Sequence, residues 1–228
     1  MPKPKWIQLL DELTHFNQPK ALEYRIHEHI LVGGEAYRND PEQHEDGIQL
    51  MGQLMLAYQD YLQVKKEPGD MFGDYLTESE TSLIKGQVFT PMHICDMMAA
   101  MQLTPEAMQQ PQRILDPCAG TGRFMLATAK HYMKTIGSCN FIFYNVDIEF
   151  RAYVFCTMNA ILNNIPAVTI HGDSLAMKYY DAYVTIPTFA GAAIWKQLPP
   201  EQIRRLFVAD SQVQIQPAPP QQTVQVKL

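Results

Sequence analysis

Large apolar residues recur at helical spacing over the first third of the chain. Trp6, Leu9, Leu10 and Leu13, then Leu22, Ile26 and Ile30, mark one face between Trp6 and Leu31, with a break near Asn17–Pro19 and a stop at Gly33-Gly34. This predicts a bent helix or a helical hairpin. Asp40-Pro41 reads as an N-cap with proline at the first helical position. Ile48, Met51, Leu54, Met55, Tyr58, Tyr61 and Leu62 then carry a second long helix as far as Pro68-Gly69. A Met and Tyr stripe at this spacing is what burial of one helix face requires, so it is assigned to the core and given no chemistry.

After residue 110 the pattern shortens to strands. RILD (113–116), FIFYNVD (141–147), VTIHGD (168–173) and YDAYVTI (180–186) alternate with helical stretches at Phe124–Met133 and Phe150–Leu162. Strand, helix, strand in this rhythm predicts a doubly wound α/β domain, a parallel sheet with helices on both faces. A last helix is expected at Pro200–Phe207, followed by a Gln- and Pro-rich stretch with too few large apolar residues to pack. The expected division is a helical segment over 1–85, an α/β domain over 86–209 and a disordered tail over 210–228.

Composition narrows the function. With 228 residues, 46% of them apolar, the chain can bury a substantial core. No window approaches 18 uninterrupted apolar residues and the N-terminus lacks a secretory h-region, so a cytoplasmic protein without membrane association is expected. Cys95, Cys118, Cys139 and Cys156 show neither paired spacing nor nearby paired histidines, which predicts reduced thiols and no metal site. A net charge of -6 lacks the Lys and Arg excess with which a stand-alone nucleic-acid binder neutralises phosphates. If DNA is the target, a partner is expected to hold it.

The candidate chemistry sits at strand ends. In ILDPCAGTGRF (114–124), Asp116 closes a strand and Gly120 and Gly122 lead into a helix, so the backbone can approach a ligand with no Cβ in the way. A glycine turn of this kind also occurs for packing alone. Asp147 closes the next strand where a doubly wound fold places a ribose, although a solvated strand-end charge would look the same. Asp173 closes the third. Three successive strands ending in acids on one sheet edge favour a ligand, because open α/β sheets bind at the carboxyl ends of their strands.

GQVFTP (86–91), DPCAGTGRF (116–124), NVDIEF (145–150) and GDSL (172–175) resemble, in order, four motifs of the S-adenosylmethionine (SAM)-dependent amino-methyltransferases. The likeness is to N6-adenine DNA methyltransferases of the type I modification-subunit kind, from restriction-modification systems, and runs from about residue 70 to 191. The resemblance implies a Rossmann-like SAM-methyltransferase sheet behind a helical N-terminal segment. It also implies that Phe89, Thr90 and Pro91 close over the methionine end of SAM, the helix start offering N–H groups to its carboxylate. By the same resemblance Asp116, Ala119, Gly120 and Gly122 line the methionine and sulfonium, Asp147 accepts the ribose hydroxyls, Ile148 lies against the adenine and Asp173 accepts from its amino group. Without the other motifs, Thr90-Pro91 is simply a good helix cap.

One motif departs from the family. Where the fourth strand of these enzymes ends in N-P-P-F, aligning YDAYVTIPTFAG (180–191) puts Ile186 at the asparagine, Pro187 and Phe189 in register and Thr188 at the second proline. An isoleucine cannot hydrogen-bond the extruded adenine, and a buried amino group left unpaired costs about 1–3 kcal/mol. The catalytic residues therefore stay unassigned. The residues after Ile186 are also too few for the strands that complete such a sheet, so it is expected to be incomplete on its C-terminal side. Two readings follow: a DNA-adenine methyltransferase component needing a partner or specificity subunit, or a catalytically inactive SAM-binding interaction or regulatory protein. A small-molecule methyltransferase suits the acidic charge but not the F-T-P segment.

Overall fold

The computed structural model describes residues 3–14, 21–33, 45–78 and 89–208. The Asn17–Pro19 break, Gly34, the Asp40-Pro41 cap, Gly86–Val88, the 85/86 boundary and the 210–228 tail lie outside these residues.

The N-terminal apolar stripes form α1 (Lys5–Thr14), α2 (Leu22–Arg25), which runs directly into a π-helical turn at Ile26–Val32, and the long α3 (Glu45–Lys65). A further helix, α4 (Met71–Glu78), follows the Pro68-Gly69 turn and was not expected. Asp70 starts it as an N-cap, its Oδ1 accepting from Gly73 N at 2.8 Å. Trp6 packs edge-on against Tyr61 at 5.2 Å, locking α1 to α3.

The second half contains α5 (Met92–Gln102), α6 (Pro105–Met108), β1 (Gln112–Asp116), α7 (Arg123–Thr135), β2 (Phe141–Asp147), α8 (Phe150–Leu162), β3 (Ala167–Asp173), β4 (Lys178–Ile186), β5 (Ile194–Gln197) and α9 (Pro200–Val208). The five strands lie in the order β1-β2-β3-β4-β5, with β1, β2 and β3 parallel. Here the expectation of a parallel, doubly wound sheet is corrected: β4 runs antiparallel to β3, and β5, a strand not expected, runs antiparallel to β4. The reason is loop length. A parallel return needs a crossover of a dozen or more residues, whereas Asp173 and Lys178 are joined only by Ser174–Met177. Asp173 Oδ1 closes this turn by accepting from Leu175 N and Ala176 N at 2.9 and 2.8 Å. Among the described residues no strand lies outside β1, which makes it a sheet edge; Leu115 on it and Ile142 beside it are exposed.

Burial explains the layering. α8 is enclosed from Arg151 to Leu162, as expected of a helix that is apolar on all sides. The sheet covers one side of it and the N-terminal helices the other, where Phe72 stacks on Phe155 at 4.6 Å. α7 packs with α5 against β1 and β2. On the opposite sheet face, Ile203 of α9 closes over Val146, Val168, Ile170 and Ala182.

Candidate cofactor site

The carboxyl ends of β1 and β2 meet at the glycine turn. Gly120 and Gly122 have φ of +57° and +90°, a left-handed backbone that other residues adopt only with strain. The two glycines serve different ends. A Cβ on Gly122 would stand 2.9 Å from Cys156 Sγ, so its bareness lets the turn pack on α8. A Cβ on Gly120 would face the Phe89 ring at 3.5 Å, so the F-T-P segment lies directly across the turn.

Asp147 fastens the arrangement. Its Oδ2 accepts from Gly120 N at 2.8 Å and its Oδ1 from Glu149 N at 2.9 Å. A carboxylate has about four acceptor positions, and these two amides fill two of them. Ala119 N donates to Val146 O at 3.0 Å, tying the turn to the neighbouring strand a second time. Asp116 is less satisfied: Oδ1 accepts from Cys118 N at 3.1 Å, and Oδ2 takes no hydrogen bond among the described residues. Burial raises the Asp116 carboxyl above its ordinary value and the nearby Asp147 charge adds to this, against the opposing Cys118 amide. The two neighbouring carboxylates concentrate negative charge at these strand tips, which a cation would relieve.

The other residues named from sequence divide into two groups. Thr90 and Pro91 lead into α5 and are exposed, with the Thr90 carbonyl accepting from Arg123 Nη1 at 3.3 Å. Ile148 lies exposed at the tip of β2, its carbonyl bonded to His171 Nε2 at 3.2 Å. Asp173 is on the same sheet edge but further out, since Asp147 is level with His171 and Asp173 stands two residues beyond, occupied with its own turn. Ile186, Pro187, Thr188 and Phe189 are not brought to this edge. Because β4 is antiparallel, Thr185 pairs with Ala167 at the amino end of β3, and the four residues lie at the opposite pole of the sheet. The length of β3 separates the poles, roughly 20 Å at 3.3 Å per residue.

A buried polar cluster behind the turn was missed. Asp70, only 1% exposed, accepts from Thr121 Oγ1 at 2.6 Å, Arg123 Nε at 2.7 Å, Asn159 Nδ2 at 2.7 Å and Gly73 N. Burial pushes its carboxyl upward, and Arg123 and Thr121 pull it back. Arg123 also reaches Asp74 Oδ1 at 3.2 Å and lies over the Phe89 ring at 5.5 Å. The sequence held one signal: an arginine opening a helix faces the positive end of the helix dipole and calls for a carboxylate. A second cluster gathers on Asp181, whose carboxylate takes bonds from His27, Tyr153 and Gln197. These outweigh burial and hold its carboxyl below the ordinary value.

A model of the N-6 DNA methylase family matches residues 69–212. The chain belongs to that family. No curated protein and no solved structure matches it. As an N-6 DNA methylase family member it carries a methyltransferase-like fold with a mixed five-stranded sheet. The family match starts at Gly69, which brings α4 and the Asp70 cluster within the methylase region and sets the helices before it apart. Among the described residues no three of His, Cys, Asp and Glu gather as a metal would require, and no helix is long and apolar enough to cross a membrane.

Proposed function

We propose that this N-6 DNA methylase family member binds SAM across the tips of β1 and β2, and that methyl transfer to adenine in DNA takes place only with a partner. The observation that carries the reading is Asp116: a half-buried carboxylate with an open oxygen, raised by burial, beside a glycine turn held by Asp147 and covered by Phe89. SAM supplies an electrophilic methyl group on a positively charged sulfonium. Asp116 offsets the positive charge of the ligand, with Ala119, Gly120 and Gly122 giving the backbone its close approach. Phe89 screens that end from water, and the helix start after Thr90-Pro91 presents its first backbone N–H groups, those of Met92 and His93, to a carboxylate. Asp147 turns its free acceptor positions to the ribose hydroxyls, Ile148 supplies an apolar face for the adenine, and Asp173 the outermost acceptor.

A partner is required on two grounds. The net charge of -6 gives no general attraction for phosphates. Residues Ile186–Phe189 stand a sheet's length from Asp116, so they supply no anchor for an acceptor amine there. That second observation equally favours a non-catalytic SAM-binding role. Calorimetric titration with SAM, followed by a tritiated-methyl assay on unmethylated DNA with and without a cell extract, separates the readings. Binding with label transfer only in the extract supports the proposal, binding with no transfer in either supports the non-catalytic role, and absence of binding ends both.

A further inference from the structure

We infer that Asp70 and Arg123 are positioning residues for the cofactor: their buried pair carries the N-terminal helices into the cofactor site and presets Phe89 over the glycine turn. The inference rests on the reading that SAM binds at the tips of β1 and β2. Both side chains are buried. Asp70 backs the glycine turn, its four donors drawn from α4, the turn residue Thr121, α7 and α8. Asn159 also donates to the Thr121 carbonyl at 2.9 Å, so the turn is gripped from both its side chain and its backbone.

Arg123 distributes that fixation. Nε holds Asp70, Nη2 holds Asp74, Nη1 holds the Thr90 carbonyl, and the guanidinium plane lies against Phe89. Asp74 in turn takes Lys65 Nζ at 2.8 Å and Tyr61 OH at 3.1 Å from α3. A continuous polar path thus runs from the long N-terminal helix to the ring that covers Gly120. Only a guanidinium can serve it, because the path needs three donors in one rigid plane with an apolar face left for the phenyl ring. A lysine keeps the charge and one bond and loses the rest. The glycine turn is therefore set before any ligand arrives, and the cost of ordering Phe89 falls on folding instead of on binding.

The test uses the full chain. The parent, Arg123→Lys, Asp70→Asn, Phe89→Ala and the Arg123→Lys/Phe89→Ala double variant are titrated with SAM by calorimetry and melted thermally, and amide hydrogen exchange is followed at 119–122. Arg123→Lys is expected to weaken SAM at least about tenfold while remaining folded, and to speed exchange at 119–122 without changing α9. Asp70→Asn, where it folds, does the same. In the double variant SAM binding falls no more than about threefold below Phe89→Ala alone, because the arginine acts through the ring. A merely structural arginine would instead give effects that multiply, and multiplied effects, or parent-like affinity in folded Arg123→Lys, overturn the inference. A parent that takes up no SAM removes the cofactor reading itself and this inference with it. A parent that binds beside variants that bind equally removes the inference alone.

Discussion

The two poles of the sheet end their strands in similar-looking sequence and do opposite things with it. At the carboxyl pole, Asp116 and Asp147 close parallel strands and are bound into a glycine turn through backbone amides. At the other, Ile186–Phe189 closes β4 in a loop pinned by Asn164, which donates to the Thr188 carbonyl and accepts from Thr188 N, both at 2.8 Å. Phe189 there is 77% exposed and covers nothing. A strand-end motif acquires chemical meaning only with the direction of its strand. One four-residue turn, Ser174–Met177, decided that direction and removed the tetrapeptide from the carboxyl edge.

The sharpest way to break this contrast is to remove the support of the carboxyl pole. Asp70→Ala leaves the Arg123 guanidinium buried without its main partner, and breaking a buried pair in this way costs about 3–5 kcal/mol. Thermal or urea unfolding should show a loss of that order, and a loss under about 1 kcal/mol would mean that water replaces the carboxylate without penalty. Asp147→Ala comes next. It strands the Gly120 and Glu149 amides at a stability loss of about 2–3 kcal/mol, and it removes the proposed ribose acceptor, a charged hydrogen bond of about 1.5–3 kcal/mol, so SAM affinity should fall roughly 10- to 150-fold. Calorimetry showing parent-like affinity would detach the glycine turn from the ligand.

How much of this was legible beforehand follows from what each feature depends on. Strands β1, β2 and β3 and helices α7 and α8 were read within a residue or two, because their apolar runs are bounded by turn residues and alternate in strand and helix lengths. Asp116, Gly120 and Asp147 meet, as adjacent strand tips must. The direction of β4 was missed because its composition fits either orientation, while the deciding feature was the brevity of the preceding loop. Strand β5, four residues in Ile194–Gln197, is too short to show a period. The Asp70 cluster was hidden for another reason: its members lie 51 and 89 residues from Asp70 in the case of Thr121 and Asn159, and polar residues converging from such separations leave no periodic trace.

A smaller effect carries a sign that distinguishes a ligand-facing carboxylate from a structural one. Asp116→Asn removes the charge and the repulsion from Asp147 without changing shape. Since burial raises the folded-state value of this carboxyl, ionised Asp116 burdens the folded protein above that value, and the burden lifts as pH falls through it. The variant should therefore melt at a higher temperature than the parent at neutral pH while binding SAM about tenfold more weakly. By the same linkage, SAM affinity of the parent should fall as pH drops through the raised Asp116 value, by up to about a factor of ten per pH unit, and the variant should lack this dependence. Lower stability together with parent-like affinity would assign Asp116 to the fold alone.

The smallest expected effect belongs to the opposite pole, and it is informative because alignment and topology disagree about it. By motif alignment, Ile186→Asn restores the asparagine of an adenine-binding turn and should raise methyl transfer. By topology it changes an exposed residue paired with Ile194 at the edge of the sheet, far from Asp116. Exposed substitutions away from caps and buried networks shift stability by about 0.5 kcal/mol or less, and nothing links this one to the glycine turn. SAM affinity, label transfer to DNA and melting temperature should therefore match the parent. A gain in transfer would require the tetrapeptide to reach the carboxyl edge, which the antiparallel pairing of β4 with β3 does not allow.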